Sequence, residues 1–183
     1  MSGIVGSSPS ERSGTIGGVD GILLSAKTWS WQDGNLAFTD GNARVGKNFV
    51  SHYLNGTSTY VLHWYCWIGA CATSTTSERR IYPKVHMHTS DPGPPGTAWN
   101  AGTRFASSLI GRVMVSATST AACSYGHWST QSVVPYGTEG TRWFGITANS
   151  DGNAATATIY ADSNNQLTFT IREFKGNVNV HAS

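Results

Sequence analysis

The chain is poor in charge. Only 12% of its 183 residues are Asp, Glu, Lys or Arg, and the formal net charge is +2. No basic run exceeds Arg79-Arg80, so a dense phosphate-neutralising patch is excluded and nucleic acid is not an expected partner. Cysteine is scarce as well. Cys66, Cys71 and Cys123 form no CxxC pair, which excludes a zinc ribbon, and a disulfide framework would leave one thiol over. Buried free thiols in a protein assembled inside a cell are the expectation. No apolar stretch reaches the ~18 residues of a membrane-spanning helix, so a membrane is not an expected partner either. The chain also lacks a GxSxG elbow, a Walker loop, a GxGxxG after a strand and an HExxH pair. Its ten carboxylates single out no glycosidase pair, and no enzymatic activity is expected. Helical periodicity and heptads are missing, so nothing here builds a coiled-coil shaft.

What is present begins with a polar leader. Eleven of the first eighteen residues, Met1 to Gly18 (MSGIVGSSPSERSGTIGG), are Gly, Ser or Thr. Met1, Ile4, Val5 and Ile16 are its only clearly apolar residues, too few to offset the entropy of ordering it. It has neither the basic start nor the apolar run of a secretory signal. It reads as an extended docking arm, residues 1–18, with Ile4, Val5 and Ile16 anchoring it on another subunit, as against an ordinary disordered terminus. Residues 19–183 are long enough for a single domain that buries about two-thirds of its unfolded surface.

That body alternates at period two. Trp29 and Trp31 sit between polar neighbours, Asp33-Gly34-Asn35 supplies a tight-turn signal, and Leu36 and Phe38 alternate again, which predicts a hairpin. A second such turn, Asp40-Gly41-Asn42, makes the first seventy residues read as a meander. Tyr60 to Ile68 (YVLHWYCWI) reads as a central strand buried on both faces. Ile81 to His88, Ile110 to Ala117, Arg142 to Thr147, Ala155 to Tyr160 and Leu167 to Phe174 follow as strands. In the last, Leu167, Phe169 and Ile171 take one face, while Thr168, Thr170 and Arg172 take the other. Asp91 to Gly96 (DPGPPG) holds three prolines in four positions and predicts a stiff loop. Pro135 to Gly140 and Ser150 to Asn153 are further turns. Asn55-Gly56-Thr57 matches a glycosylation sequon but is better read as a turn. Together these describe an all-β fold, an antiparallel β-sandwich or jelly roll.

Few residues carry ligand chemistry. In His86-Met87-His88 both imidazoles share one strand face, and three copies about a threefold axis would offer six nitrogens to a transition metal. The plainer reading is a pair of surface imidazoles, with no cofactor. His63 is expected to be a hydrogen-bonded core histidine. Seven Trp and seven Tyr exceed what a core this size demands, leaving Trp99, Trp128 and Tyr136 as candidates for glycan or subunit contact.

The opening SGIVGSSPSERSGTIG, entering a compact β-domain that closes on TATIYADSNNQLTFTIREF, resembles small virion surface proteins of tailed bacteriophages, marine and cyanobacterial ones in particular. That resemblance implies a non-enzymatic virion protein, often trimeric, assembled in the host cytoplasm. As a capsid decoration (cement) protein it would dock by its arm on major capsid subunits. As a tail-fibre or appendage tip it would attach to tail or neck proteins and bind a host receptor or glycan. A free carbohydrate-binding module is a further alternative.

Overall fold

The computed structural model describes residues 20–38, 45–71, 79–94, 103–104, 113–115, 123–151 and 156–178. Every regular element among them is a β-strand: β1 (Leu23–Trp31), β2 (Leu36–Phe38), β3 (Val45–Leu54), β4 (Ser58–Cys71), β5 (Arg79–His88), β6 (Thr103–Arg104), β7 (Val113–Val115), β8 (Cys123–Val134), β9 (Gly140–Asp151), β10 (Thr156–Tyr160) and β11 (Leu167–Lys175).

The pairings reduce these eleven segments to eight rows. β8 occupies one edge of β4 from Tyr60 to Cys71, so β10 and β11 share the other, both antiparallel to it. β1 and β2 likewise run along the outer side of β11 and β10. The first sheet is therefore (β1, β2), (β11, β10), β4, β8. In the second, β9 lies between β3 and β5, and β6 and β7 share the remaining edge of β5. All pairs are antiparallel, and in chain order the rows alternate between sheets except for the step from β5 to β6. Two four-row sheets linked in this way form a jelly roll.

This topology corrects two expectations. Asp33-Gly34-Asn35 does not close a hairpin, because β1 and β2 pair with different strands and never with each other. The backbone N–H of Gly34 donates to the Ala161 carbonyl at 2.9 Å, and the Asn35 side chain accepts from the Ala161 N–H at 2.9 Å. The turn-forming residues thus step the edge row past an interruption in the next row. Nor are the first seventy residues a meander, since β3 belongs to the opposite sheet. Asp40-Gly41-Asn42 lies outside the described residues.

Between Tyr160 and Thr168 the β10–β11 row advances eight residues, whereas the partners Trp67 and Tyr65 on β4 are two apart. The surplus forms a loop closed by its own bonds. Asp162 and Asn165 exchange backbone hydrogen bonds at 3.1 and 3.2 Å, and the Asp162 carboxylate accepts from the Asn164 and Asn165 N–H groups at 3.0 and 2.9 Å.

The core fills the space between the sheets. Leu62, Trp64, Cys66 and Ile68 of β4, Leu167, Phe169 and Ile171 of β11, and Phe144 and Ile146 of β9 are all buried. Each large side chain buried in this way contributes about 1.5–3 kcal/mol. Trp64 stacks on Phe169 at 4.0 Å between centroids, Trp31 lies parallel to Trp64 at 6.2 Å, and Phe144 closes on Phe169 at 5.9 Å from the opposite sheet. Cys66 is a free buried thiol whose ionisation burial strongly disfavours. Cys71 and Cys123 are register partners across β4 and β8.

β4 is interior to its sheet as expected, but from Leu62 onward only one face is buried. His63, Tyr65 and Trp67 alternate with the core residues and stay partly exposed. The β11 alternation is as predicted. Asn55-Gly56-Thr57 is a turn carrying the chain from β3 to β4. Its Asn55 side chain accepts from the Thr57 N–H at 3.1 Å and donates to Glu173 at 2.7 Å. The Glu173 carboxylate also accepts from Ser25 at 3.0 Å, Ser58 at 2.8 Å and Tyr60 at 3.2 Å. One half-buried anion thereby ties β1, the β3–β4 turn and β11 together. Partial burial alone would raise its pKa, but the hydrogen bonds from Ser58, Ser25, Asn55 and Tyr60 outweigh that and lower it.

Candidate functional site

The outer face of the second sheet carries an aromatic cleft. On β3 and β9, Val50, Leu54, Phe144 and Ile146 face the core, so Ser51 and its register partner Trp143 face outward. Gly145 shares that outward face, and the Phe49 ring lies directly over it. A Cβ at position 145 would stand 2.0 Å from Phe49 Cδ1, so the absence of a side chain is what seats the ring. Beside these run Asp91, Gly93 and Pro94 of the proline-rich loop that follows β5. Asp91 accepts from the Gly93 N–H at 2.9 Å, and Gly93 takes φ +99°, the turn that Asp-Pro-Gly favours. Trp31, the last residue of β1, and Asp33 just beyond it complete the lining. The Trp29 and His52 rings meet at 6.1 Å on the seam between the sheets. The eight residues Trp31, Asp33, Phe49, Ser51, Asp91, Gly93, Pro94 and Trp143 line an open cleft of about 570 Å³.

The outer face of the first sheet is different. Tyr160, Trp67 and His127 lie side by side across β10, β4 and β8, with Thr158, Gly69 and Tyr125 in the next row. The Trp67 and His127 rings are 3.6 Å apart and those of Tyr125 and Tyr160 are 5.7 Å apart. Tyr65 hydrogen-bonds His127 Nδ1, and His63 Nε2 shares a hydrogen with Ser129 at 2.9 Å. Burial, followed by the nearby Arg172 guanidinium, lowers the pKa of His63. This is an open platform of rings.

The candidate residues fare unevenly. Rather than standing on the surface as its candidacy for a contact requires, Trp128 is 3% exposed and belongs to the core, packed inward from β8. Its polar neighbours His127 and Ser129 are the alternation signal that would have placed it there. Tyr136 is 48% exposed in the turn that follows β8, away from the lining of the cleft. Trp99, Ile4, Val5 and Ile16 lie outside the described residues. The structure corrects the surface reading of the histidine pair; the metal reading takes two imidazoles from each of three copies, and a single chain does not test it. His86 is completely buried and His88 partly so, which rules out two surface imidazoles. Among the described residues no three His, Cys, Asp or Glu side chains come together to hold a metal. His63 is hydrogen-bonded as expected, yet it stands on the outer face rather than in the core. The cleft was missed because its residues come from four separate stretches of the chain. The signal available was Trp143, the one aromatic of a β9 alternation that the core does not use.

No protein-family model matches the chain, and no curated protein does. Among solved structures the chain is similar to one described as infectious bursal disease virus Gx strain, with 10% identity and a TM-score of 0.36 over 82% of this chain and 38% of that one. It is similar also to the infectious bursal disease virus VP2 subviral particle, with 10% identity and a TM-score of 0.35 over 85% of this chain and 42% of that one. The chain spans about two-fifths of each. Both are virus particles rather than tailed-phage proteins, and the likeness is a loose one in the path of the chain.

Proposed function

We propose that this chain is a non-enzymatic structural protein of a tailed-phage virion, a trimeric decoration protein that docks through residues 1–18 and presents the jelly roll outward. The observation that carries this reading is the eight-row jelly roll itself, an architecture shared by viral capsid and lectin domains. The arm composition and the scarcity of charged residues support it. In a trimer, exposed strand edges such as β1 and aromatic faces such as that around Trp67 would find cover.

The test uses the full chain with Ile4, Val5 and Ile16 all changed to Asp. Purified virions stripped of the protein should recover the unaltered chain on co-sedimentation and should not recover the variant, whose thermal unfolding is unchanged. Equal recovery of both would refute the docking arm. Light scattering that gives a monomer at micromolar concentration would refute the trimer.

A second reading, an appendage domain that recognises a host glycan, is favoured by the aromatic cleft on β3 and β9.

A further inference from the structure

From the lining of that cleft we infer that it is a binding site for a neutral oligosaccharide. The chemistry of a pyranose is two-sided, with C–H groups forming weakly positive apolar faces and hydroxyls projecting around the rim. Trp31, Phe49 and Trp143 supply aromatic faces of negative quadrupole for the first. Asp91, Asp33 and Ser51 supply acceptors and a hydroxyl for the second. A carboxylate has roughly four lone-pair sites, and the Gly93 N–H takes one of those on Asp91. Three aromatic side chains and a few polar groups line an open cleft of about 570 Å³, a volume within the range of small-ligand sites.

The lining also says what the ligand is not. Two carboxylates without a Lys or Arg among the eight residues disfavour phosphates, nucleotides and acidic sugars. A methylated ammonium group would suit rings and carboxylates, but it is compact and would leave most of a 570 Å³ cleft unfilled.

The walls are held in place before any ligand arrives. Trp31 lies parallel to the buried Trp64, Phe49 rests on the bare backbone of Gly145, and Asp91 is fixed in a proline-bounded turn. Little side-chain entropy is then lost on binding, which is the condition for a weakly charged site to hold a neutral ligand. The inference does not depend on whether the chain sits on a virion, because it rests on the cleft alone.

The full chain is applied to an array of neutral and acidic oligosaccharides, and the strongest neutral hit is titrated by calorimetry. Saturable binding is expected, with neutral glycans preferred over sialylated or uronate-bearing ones. Trp143→Ala should weaken it about tenfold or more, Trp143→Phe should restore part of that, and Asp91→Asn should weaken it by a smaller factor. Asp91→Asn keeps the acceptor for Gly93 and leaves the fold intact, so the test stands even if Trp143→Ala unfolds. Absence of saturable binding across the array, binding that neither Trp143→Ala nor Asp91→Asn alters, or a preference for acidic glycans would each overturn the site. Tetramethylammonium binding at this cleft in preference to any glycan would overturn it in favour of a cation cage.

Discussion

The two outer faces of this jelly roll start from the same device and end in different surfaces. Each has a glycine at which aromatic rings close over the sheet: Gly69 under Tyr125 and Tyr160, and Gly145 under Phe49. On the first sheet the surrounding rows are filled with further rings, Trp67, Tyr65 and His127, and the result is a platform open to solvent. On the second sheet the proline-rich loop and the end of β1 rise beside the rings, and the same device becomes the floor of a cleft. A missing side chain therefore specifies contact between ring and backbone. The neighbouring loops decide whether that contact is a surface or a site.

Breaking what both faces share should have the largest effect. Phe169 is buried against Trp64, Trp29 and Phe144, so Phe169→Ala would leave a cavity behind both sheets. A loss of about 3–5 kcal/mol is expected, read from urea unfolding followed by tryptophan fluorescence. A loss below about 1 kcal/mol would mean that the two sheets are not joined through this stack.

The glycines separate the faces. Gly145→Ala would place Cβ 2.0 Å from the ring of Phe49, and Gly69→Ala would place it 2.6 Å from Tyr125 Cδ1. Tyr125 is 55% exposed and can swing outward, and Tyr160, whose ring would lie 2.9 Å from the same Cβ, is partly exposed on that open face. Phe49 is half-buried beside the loop and yields less readily. Gly145→Ala should cost about 1–3 kcal/mol and Gly69→Ala under about 1 kcal/mol, compared by differential scanning calorimetry. Equal costs would erase the distinction between cleft and platform.

Acid should act in two stages. His63, on the platform, and His52, on the seam between the sheets, both have pKa values below the ordinary 6.5. Burial is the main cause in each case, with Arg172 the second for His63 and Lys27 the second for His52. The unfolded chain thus takes up protons first, and stability should begin to fall as pH drops below about 6.5 and continue down to the lowered values. Glu173, with its pKa held below 4.5, retains its contribution above that pH and loses it as the pH falls through the lowered value. Unfolding midpoints measured from pH 8 to 3 check this order. Glu173→Gln should remove the lower stage and leave the upper one, and a single stage that survives both Glu173→Gln and His63→Gln would contradict the assignment.

The smallest effect is expected at the platform. His127 is exposed, so His127→Ala should change stability by no more than about 0.5 kcal/mol, while exposing the Trp67 ring that it covers. Acrylamide quenching of tryptophan fluorescence should rise. Unchanged quenching would show that the ring contact does not shield Trp67.

Local chemistry made part of this legible in advance. The alternation of Leu167, Phe169 and Ile171, the interior position of β4, the Asn55-Gly56 turn and the turn at Asp91-Pro92-Gly93 are all short-range consequences of side-chain period and backbone preference. Pairing was not legible, because in this jelly roll most neighbouring rows are distant in sequence, and a turn signal such as Asp33-Gly34-Asn35 cannot say which strand awaits on either side. The strand β8 escaped notice because its inward positions include Thr130 and Ser132, both buried, so apolar residues do not mark its period. The cleft gathers residues from 31 to 143, and no window of sequence contains it.

The loop between β10 and β11 has a consequence for how such a domain can grow. Its ends return to the same neighbouring strand, and β4 runs past without a break, so the residues from Asp162 to Gln166 do not set the register of any pair. Ser163 and Asn164 at its tip are exposed. Sequence added there would lengthen the loop and leave every cross-strand partner where it is, which makes this loop the place where the domain can acquire a foreign peptide, by evolution or by engineering, while keeping its sheets.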